Sequence, residues 1–420
     1  MVGSAPGPPV AFGPSDEDPM DSATDSAGAV VRPRVDVPAS ILVSTAAVAL
    51  SFGAVFGLLP DLQRRIGFST GGLGAVTAAA FVAGFAAQVG LARYADRGYG
   101  RVMLVGGVLL GALGCVGVAT ARSFIVLVVS RFVLGFGDGV YLPAARRVAI
   151  MRNPDAVGAA LGRFGAAQTS GFLVGPPFAA FCASAFGLHV PFLVVAAVLA
   201  LAAPVLARFD LPRHEEVHEP RALRTLLANR GVRMGILLAF GFMVAIGAYD
   251  SLWGRFLKDL GASTKFVAVS LTVFSMPIVV LGPMAGRLAD RYGPLRVGAL
   301  ALLGSSPFIL SYALLRSYWV IAVLAIAHSA FDGAINPASQ SQVARSAPPQ
   351  LVAAGQGLLD GAGLLTAAVS SAICATVYET LGCPTLWTGL AIVVFVCAGF
   401  VWFGRSAEAA PVASAGAASS

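Results

Sequence analysis

Charge is what this chain has least of. Asp, Glu, Lys and Arg make up 12% of its 420 residues, against about 25% in an ordinary soluble protein. Meanwhile 57% of residues are hydrophobic and the mean hydropathy is +0.81. A soluble chain of this length has no interior large enough to hide so much apolar surface, which excludes an ordinary water-soluble domain. Lysine is scarcer still, with two residues against 26 arginines. The five cysteines, Cys115, Cys182, Cys374, Cys383 and Cys397, lie in or beside apolar segments without C-x-x-C spacing. They imply neither a disulfide framework nor a metal site. No nucleophile–histidine constellation, metal motif, cofactor motif or soluble catalytic segment is present, so an enzyme is not expected. No basic head followed by an apolar core opens the chain. Residues 1–38 are instead rich in Pro, Ser, Gly and Asp, which predicts a disordered tail and no cleavable signal peptide.

Long apolar runs are abundant. Stretches near the ~20 residues needed to cross a bilayer fall at 40–60, 70–91, 102–120, 124–146, 157–184 and 188–207. A second set falls at 232–253, 264–285, 296–314, 318–342, 351–378 and 384–404. This predicts an all-α membrane protein of twelve spans, with a six-helix bundle over 39–207 and another over 232–404. Residues 208–231 form a polar linker, and 405–420 a second disordered tail. Within the linker Leu223, Leu226 and Leu227 share a helical face between Arg221, Arg224 and Arg230, which predicts a short interfacial helix. Glycine, at 49 residues, suits helices packed closely in lipid.

The two sets are copies. Asp96-Arg97 recurs as Asp290-Arg291, Asp138-Gly139 as Asp332-Gly333, and Pro143-Ala144 as Pro337-Ala338, each pair separated by 194 residues. A shared offset marks an internal repeat, and an intramembrane repeat with matched mid-span acids is the architecture of a secondary transporter. With both termini placed in the cytoplasm, Lys and Arg concentrate on the inner loops, as the positive-inside rule requires. The net charge of +7 is therefore a topology signal, and no nucleic-acid partner is expected. The excess of Arg over Lys, with heavy use of Ala, Gly and Val, suggests a GC-rich bacterial source and hence the inner membrane. A monomer is expected.

Three motif regions carry a family resemblance. Gly286-Arg-Leu-Ala-Asp290-Arg291-Tyr-Gly293 resembles the signature loop of the major facilitator superfamily, G-x-L-A-D-R-x-G-R-R. The first copy, Gly90 to Arg101 with Asp96 and Arg97, departs from it: Ala92 replaces a glycine and one residue is inserted after Arg97. Tight turns need the glycines, and the acids and arginines can pair across helix ends. The resemblance implies a conformational latch at Asp96, Arg97, Arg101, Gly286, Asp290 and Arg291; the alternative is a solvated positive-inside loop. Leu127-x3-Arg131-x2-Leu134-Gly135-x-Gly137 resembles the family's fourth-helix motif, with Leu134 replacing the usual Gln. It implies a role for Arg131 in proton coupling or substrate contact, the alternative being an arginine that snorkels to the interface. Gly162-x8-Gly171-x3-Gly175-Pro176-x2-Ala179-Ala180 resembles the fifth-helix pattern of the family's proton-driven antiporters, G-x8-G-x3-G-P-x2-G-G, and implies a hinge. The alternative is generic small-residue packing.

Other candidates come from intramembrane polarity. Asp138 and Asp332 fall near the centres of the fourth and tenth spans, Asp360 in the eleventh, and Asp250 near the outer end of the seventh. A charged carboxylate in lipid is costly, and one that binds and releases a proton as access alternates couples transport to the proton gradient. His328, Asp332, Asn336 and Gln340 form a stripe at i, i+4 spacing, as do Gln356 and Asp360. For Asp138 and Asp332 the alternative is structural: each stands beside a glycine and a proline that interrupt a helix and free backbone groups. His328 alone fits a satisfied buried histidine equally well. Phe52 and Phe56, and Tyr249 and Trp253, share faces of the first and seventh spans, where they line a cavity or, for Trp253, form an interfacial belt. The proton-coupling candidates are thus Asp138, Arg131, Asp332, His328 and Asp360. The substrate-cavity candidates are Phe52, Phe56, Gln168, Tyr249, Asp250, Asn336 and Gln356.

The functional expectation is a secondary active transporter working by alternating access. Its partners are a small-molecule substrate, protons and the lipid bilayer. The favoured form is a proton-coupled antiporter exporting small amphipathic or drug-like molecules. The alternatives are an uptake permease for a sugar or organic acid, and a lipid flippase.

Overall fold

Each apolar run folds as a helix because no water is present at that depth to satisfy a free backbone, so every N–H and C=O must be paired within the segment. The computed structural model describes residues 36–94, 98–153, 157–209, 222–348 and 351–405. The expected tails and much of the linker therefore lie outside the described residues. The helices are α1 (Ala39–Ile66), α2 (Thr70–Tyr94), α3 (Gly100–Thr120), α4 (Phe124–Met151), α5 (Val157–Phe186) and α6 (Val190–Leu206), then the short α7 (Ala222–Ala228). A second series follows: α8 (Arg230–Asp259), α9 (Thr264–Tyr292), α10 (Pro294–Leu314), α11 (Tyr318–Ser346), α12 (Val352–Leu381) and α13 (Cys383–Gly404). Ten are long and apolar enough to cross a bilayer, and α6 and the Thr264–Ile278 part of α9 are shorter apolar stretches. The fold is all-α, with pseudo-symmetric halves α1–α6 and α8–α13. The repeat is visible in the element starts: Thr70 and Thr264, Gly100 and Pro294, and Phe124 and Tyr318 are each 194 residues apart.

Helix starts are fixed by side-chain caps where polar residues precede the apolar run. Ser123 Oγ accepts from Val126 N–H, Asn229 Oδ1 from Val232 N–H, and Ser263 Oγ from Phe266 N–H. At the end of α1, Gly67 takes the left-handed conformation (φ 80°) that a helix C-cap favours in glycine, and its N–H bonds back to Gln63 O. Several helices run further than their apolar stretches, α9 among them, which passes residue 285 to Tyr292 and takes the expected Asp290-Arg291 loop into its last turn. α1 continues past residue 60 to Ile66, and α8 continues past 253 to Asp259, carrying Asp61, Gln63, Arg255 and Lys258 on helical turns.

The chain ends define one face of the molecule. Asp36, before α1, bonds Asn153 after α4, while Arg230 at the start of α8 donates to Gly404 O at the end of α13. This is called the terminal face, and the opposite one the distal face. α7 lies at the terminal face. There Leu226 is buried against Val232, Ala347 and Leu351, whereas Leu223 and Leu227 are exposed. All five cysteines are free.

Backbone-to-backbone contact through glycine joins the helices. Gly175 faces Gly53 and Ala54, where an added Cβ would stand 2.7 Å from Gly53 Cα, and Gly171 meets the Ala46 backbone. The fifth-span motif thus welds α5 to α1, and α5 runs unbroken through Pro176 and Pro177. The matched Gly139 and Gly333 perform one task in both halves, admitting the α2 backbone at Gly84 and the α9 backbone at Ile278.

Candidate functional site

The halves meet tightly at the distal face. Lys258 Nζ of α8 lies 2.7 Å from Asp61 Oδ2 of α1, and Thr264 Oγ1 of α9 donates to the same carboxylate at 3.2 Å. The lysine–aspartate contact has the distance of an ion pair without the alignment of a hydrogen bond. Beside it Arg255 Nη1 donates to Gln63 Oε1 at 3.3 Å, while its Nε bonds Asp259, which also accepts from the Tyr378 hydroxyl. Gly71 N–H, in the first turn of α2, donates to Glu379 Oε2 of α12 at 2.6 Å. Nearby, the Gly74 backbone faces Ser371 and Ala375 of α12. None of these residues stood out in the sequence, because charges that end an apolar run read as loop. The rarity of lysine was the available signal.

Below that seal lie the mid-span candidates. Arg131 of α4 is buried, its guanidinium stands 4.5 Å from the Phe52 ring centroid, and its Nε and Nη1 find no hydrogen-bond partner among the described residues. It does not snorkel. Asp250 of α8 is the acid acting most strongly on it, followed by Asp138 of its own helix, so acids of both halves address one cation. Asp138 in turn faces Arg146 and Arg131. Phe56 is buried and stacked on Phe172 at 6.0 Å, and Gln168 is half-buried on α5.

Towards the terminal face the two halves present more exposed groups. Arg146 of α4 and Asp360 of α12 pair across them at 3.3 Å with 41% and 35% of their side chains exposed. Asn336 and Gln340 of α11 are exposed, and Gln356 of α12 donates to Gln340 O at 2.9 Å. Their face of α11 is turned about 140° from that of the exposed Phe331, at 100° per residue, so it is not the outward-looking side of the helix. The halves are thus tied together at the distal face, while polar groups nearer the terminal face are partly exposed.

His328 and Asp332, the inner end of the stripe on α11, lie together in the interior. Both are buried, with Nε2 3.4 Å from Asp332 Oδ1, Tyr312 OH 3.0 Å from His328 Nδ1, and Ser305 Oγ donating to Asp332 at 2.9 Å. Tyr249 and Trp253, expected on a cavity wall or an interfacial belt, are 5% and 3% exposed. They belong to an aromatic cluster with Phe256, Phe274, Tyr312 and Trp387 that packs around His328. The correction has a plain cause: α9, α10 and α13 cover that face of α8, which periodicity alone cannot reveal.

Of the latch residues, Asp96, Arg97 and the Asp290 side chain lie outside the described residues. Arg101 donates through Nε to Phe209 O at 3.0 Å, Arg291 sits exposed over the Tyr292 ring at 5.3 Å, and Gly286 is half-buried. Gly162 lies in the second turn of α5.

Comparison with known proteins places this geometry. The family model described as Major Facilitator Superfamily matches residues 41–254 and 235–418. The chain is 26% identical over 376 residues to a multi-drug resistance efflux pump PmrA homolog of Lactococcus lactis, covering 85% of this chain and 92% of that protein. It is 29% identical over 271 residues to the multidrug resistance protein MdtG of Proteus mirabilis, covering 62% and 67%. Among solved structures, a bacterial homolog of the human lysosomal transporter Spinster, inward-facing and occupied, superposes with a TM-score of 0.72 at 16% identity, covering 87% of this chain and 96% of that one. The nucleoside transporter NupG gives 0.67 at 15%, covering 87% and 98%.

Proposed function

Because the chain belongs to the Major Facilitator Superfamily, we propose that it is a proton-coupled exporter of small amphipathic molecules that works by alternating access. The observation that carries this reading is the buried Arg131 guanidinium, set against Phe52 and addressed by Asp250 and Asp138 from opposite halves. The attraction between a buried cation and acids of both halves is strongest where water is excluded, and it weakens when a competing cation or a proton reaches one acid. A cationic amphipathic substrate arriving from the terminal side stacks on Phe52 and takes over the acids, and protonation from the opposite side displaces it. The names of the curated relatives support export, and the terminal face is then cytoplasmic. In this scheme the α1–α5 glycine weld moves as a unit, and Asp290 and Arg291, at the end of α9, latch the form closed at the terminal mouth.

A growth panel tests the proposal. Cells expressing the protein are challenged with lipophilic cations and other toxic compounds, with and without an uncoupler. Protection that the uncoupler abolishes is expected. Protection that survives it removes proton coupling, and sensitisation instead of protection favours an uptake permease.

A further inference from the structure

The two halves share a repeated aspartate, yet only the second copy has a histidine beside it within a cluster of aromatic rings. Asp332 and His328 sit 3.4 Å apart at 3% and 0% exposure. His328 is ringed by Tyr249 of α8 at 5.9 Å, Phe274 of α9 at 6.2 Å, and Phe308 and Tyr312 of α10 at 5.7 and 5.8 Å. Trp253 and Trp387 close the second layer against Tyr249 and Tyr312. Among the described residues, the Trp253 indole N–H, the Tyr249 hydroxyl and His328 Nε2 find no hydrogen-bond partner. So many idle polar atoms in one cluster are unusual in a core that serves packing alone.

The 194-residue repeat supplies an internal control. The first-half equivalents of Phe274, Ser305, Phe308, Tyr312 and His328 are Ala80, Gly111, Gly114, Val118 and Leu134. All five polar or aromatic features are replaced by aliphatic or small residues on helices that share the same offset. Asp138 itself is half-buried and faces two arginines. Asp332 instead meets His328 at 3.4 Å and accepts from Ser305 Oγ at 2.9 Å.

We infer that the His328–Asp332 pair carries a coupled proton, taken up when the distal face is open and released to the terminal side along Asn336 and Gln340. This rests on the proton-coupled reading above. The chemistry balances within the pair. The Tyr312 hydroxyl donates to Nδ1 when the imidazole is neutral and accepts from it when Nδ1 takes a proton, so one proton binds with only a hydroxyl rotation. Before uptake the pair carries one net negative charge, and after uptake none. A net charge in a cage of rings is costly, so release requires water at Asp332. The i, i+4 stripe descends from buried Asp332 to exposed Asn336 and Gln340, and Gln340 donates to Asn336 Oδ1 at 3.4 Å. In the closed-distal form water reaches the pair from that side.

The test uses two readouts on the purified full-length protein. Tryptophan fluorescence is first titrated against pH in detergent, because Trp253 and Trp387 each lie one ring from His328. A single-proton titration is expected in wild type and in D138N, and its loss in H328Q and D332N. A flat wild-type signal, or a titration that persists in both H328Q and D332N, overturns the inference. Export driven by an imposed pH gradient is then compared with substrate exchange at equal concentrations in proteoliposomes, using a lipophilic cation selected by the growth panel. D332N and H328Q are expected to lose gradient-driven transport at least tenfold while keeping exchange. Retained gradient-driven transport in D332N overturns the carrier. Wild-type protein that titrates yet ignores the gradient instead removes the export reading and leaves the proton site standing.

Discussion

Lys258 Nζ stands 2.7 Å from Asp61 Oδ2, joining the last turns of α8 and α1 at the distal face with side chains 10% and 20% exposed. One of two lysines in the chain thus bridges the two halves at the end where they are shut. A carboxylate that also accepts from Thr264 and from Arg64 at 2.7 Å holds three elements to one point.

Removing that carboxylate loosens the closure. D61N is expected to cost about 1–3 kcal/mol in the closed-distal form, the range for hydrogen bonds to charged groups. The readout is maleimide labelling of a cysteine placed at a distal position near Pro60, which should rise. The charge-swapped pair D61K/K258D should restore protection, and a swap that labels like the single variant rules out the pair as the clasp.

The second distal tie acts through a helix end. Glu379 places its carboxylate on Gly71 N–H at the start of α2, where the helix dipole favours negative charge. E379Q is expected to weaken the closure by ~0.3–1 kcal/mol, and high salt should reproduce part of the loss in wild type. Equal labelling of E379Q and wild type at low salt would show that the contact carries no weight.

A cation on Phe52 has its own signature. R131A removes a cation–π contact of about 0.5–2 kcal/mol and leaves Asp250 and Asp138 without their shared counter-charge. Gradient-driven transport should fall at least tenfold with the protein still monodisperse on size exclusion, and R131K should recover part of it. Full transport by R131A would place Arg131 outside the cycle.

Gly175 has no room for a side chain. Its Cβ would stand 2.7 Å from Gly53 Cα and 2.8 Å from Ala54 N, so G175A must push α5 from α1. Overpacking of this kind costs about 1–3 kcal/mol, and G175L should cost more, read as a lowered Tm in detergent. G165A is the comparison, since nothing lies within 4 Å of a Cβ added there, and it should melt as wild type does.

The spans were legible because lipid forces each apolar run into a helix long enough to cross, and the repeat because duplicated signatures keep their offset. Where helices ended was not legible. α1 and α8 continue through Asp61 and Lys258 because each charge meets a partner from the other half, and hydropathy sees only one strand of chain at a time. The acids were visible as acids. Their neighbours were not, and so Asp138 and Asp332 read as twins.

By itself the sequence determined the twelve-span architecture, its two-fold repeat and the stock of intramembrane charge, since these follow from the cost of bare backbone and bare charge in hydrocarbon. Tertiary structure alone decided which charges meet: Arg146 with Asp360 across the halves, Asp61 with Lys258 at the distal seal, and His328 with Asp332 inside a ring of aromatics. The physical reason is range. Hydrophobic matching acts along each segment, whereas a hydrogen bond or ion pair needs its two atoms within a few ångströms, and only the packing of distant helices provides that.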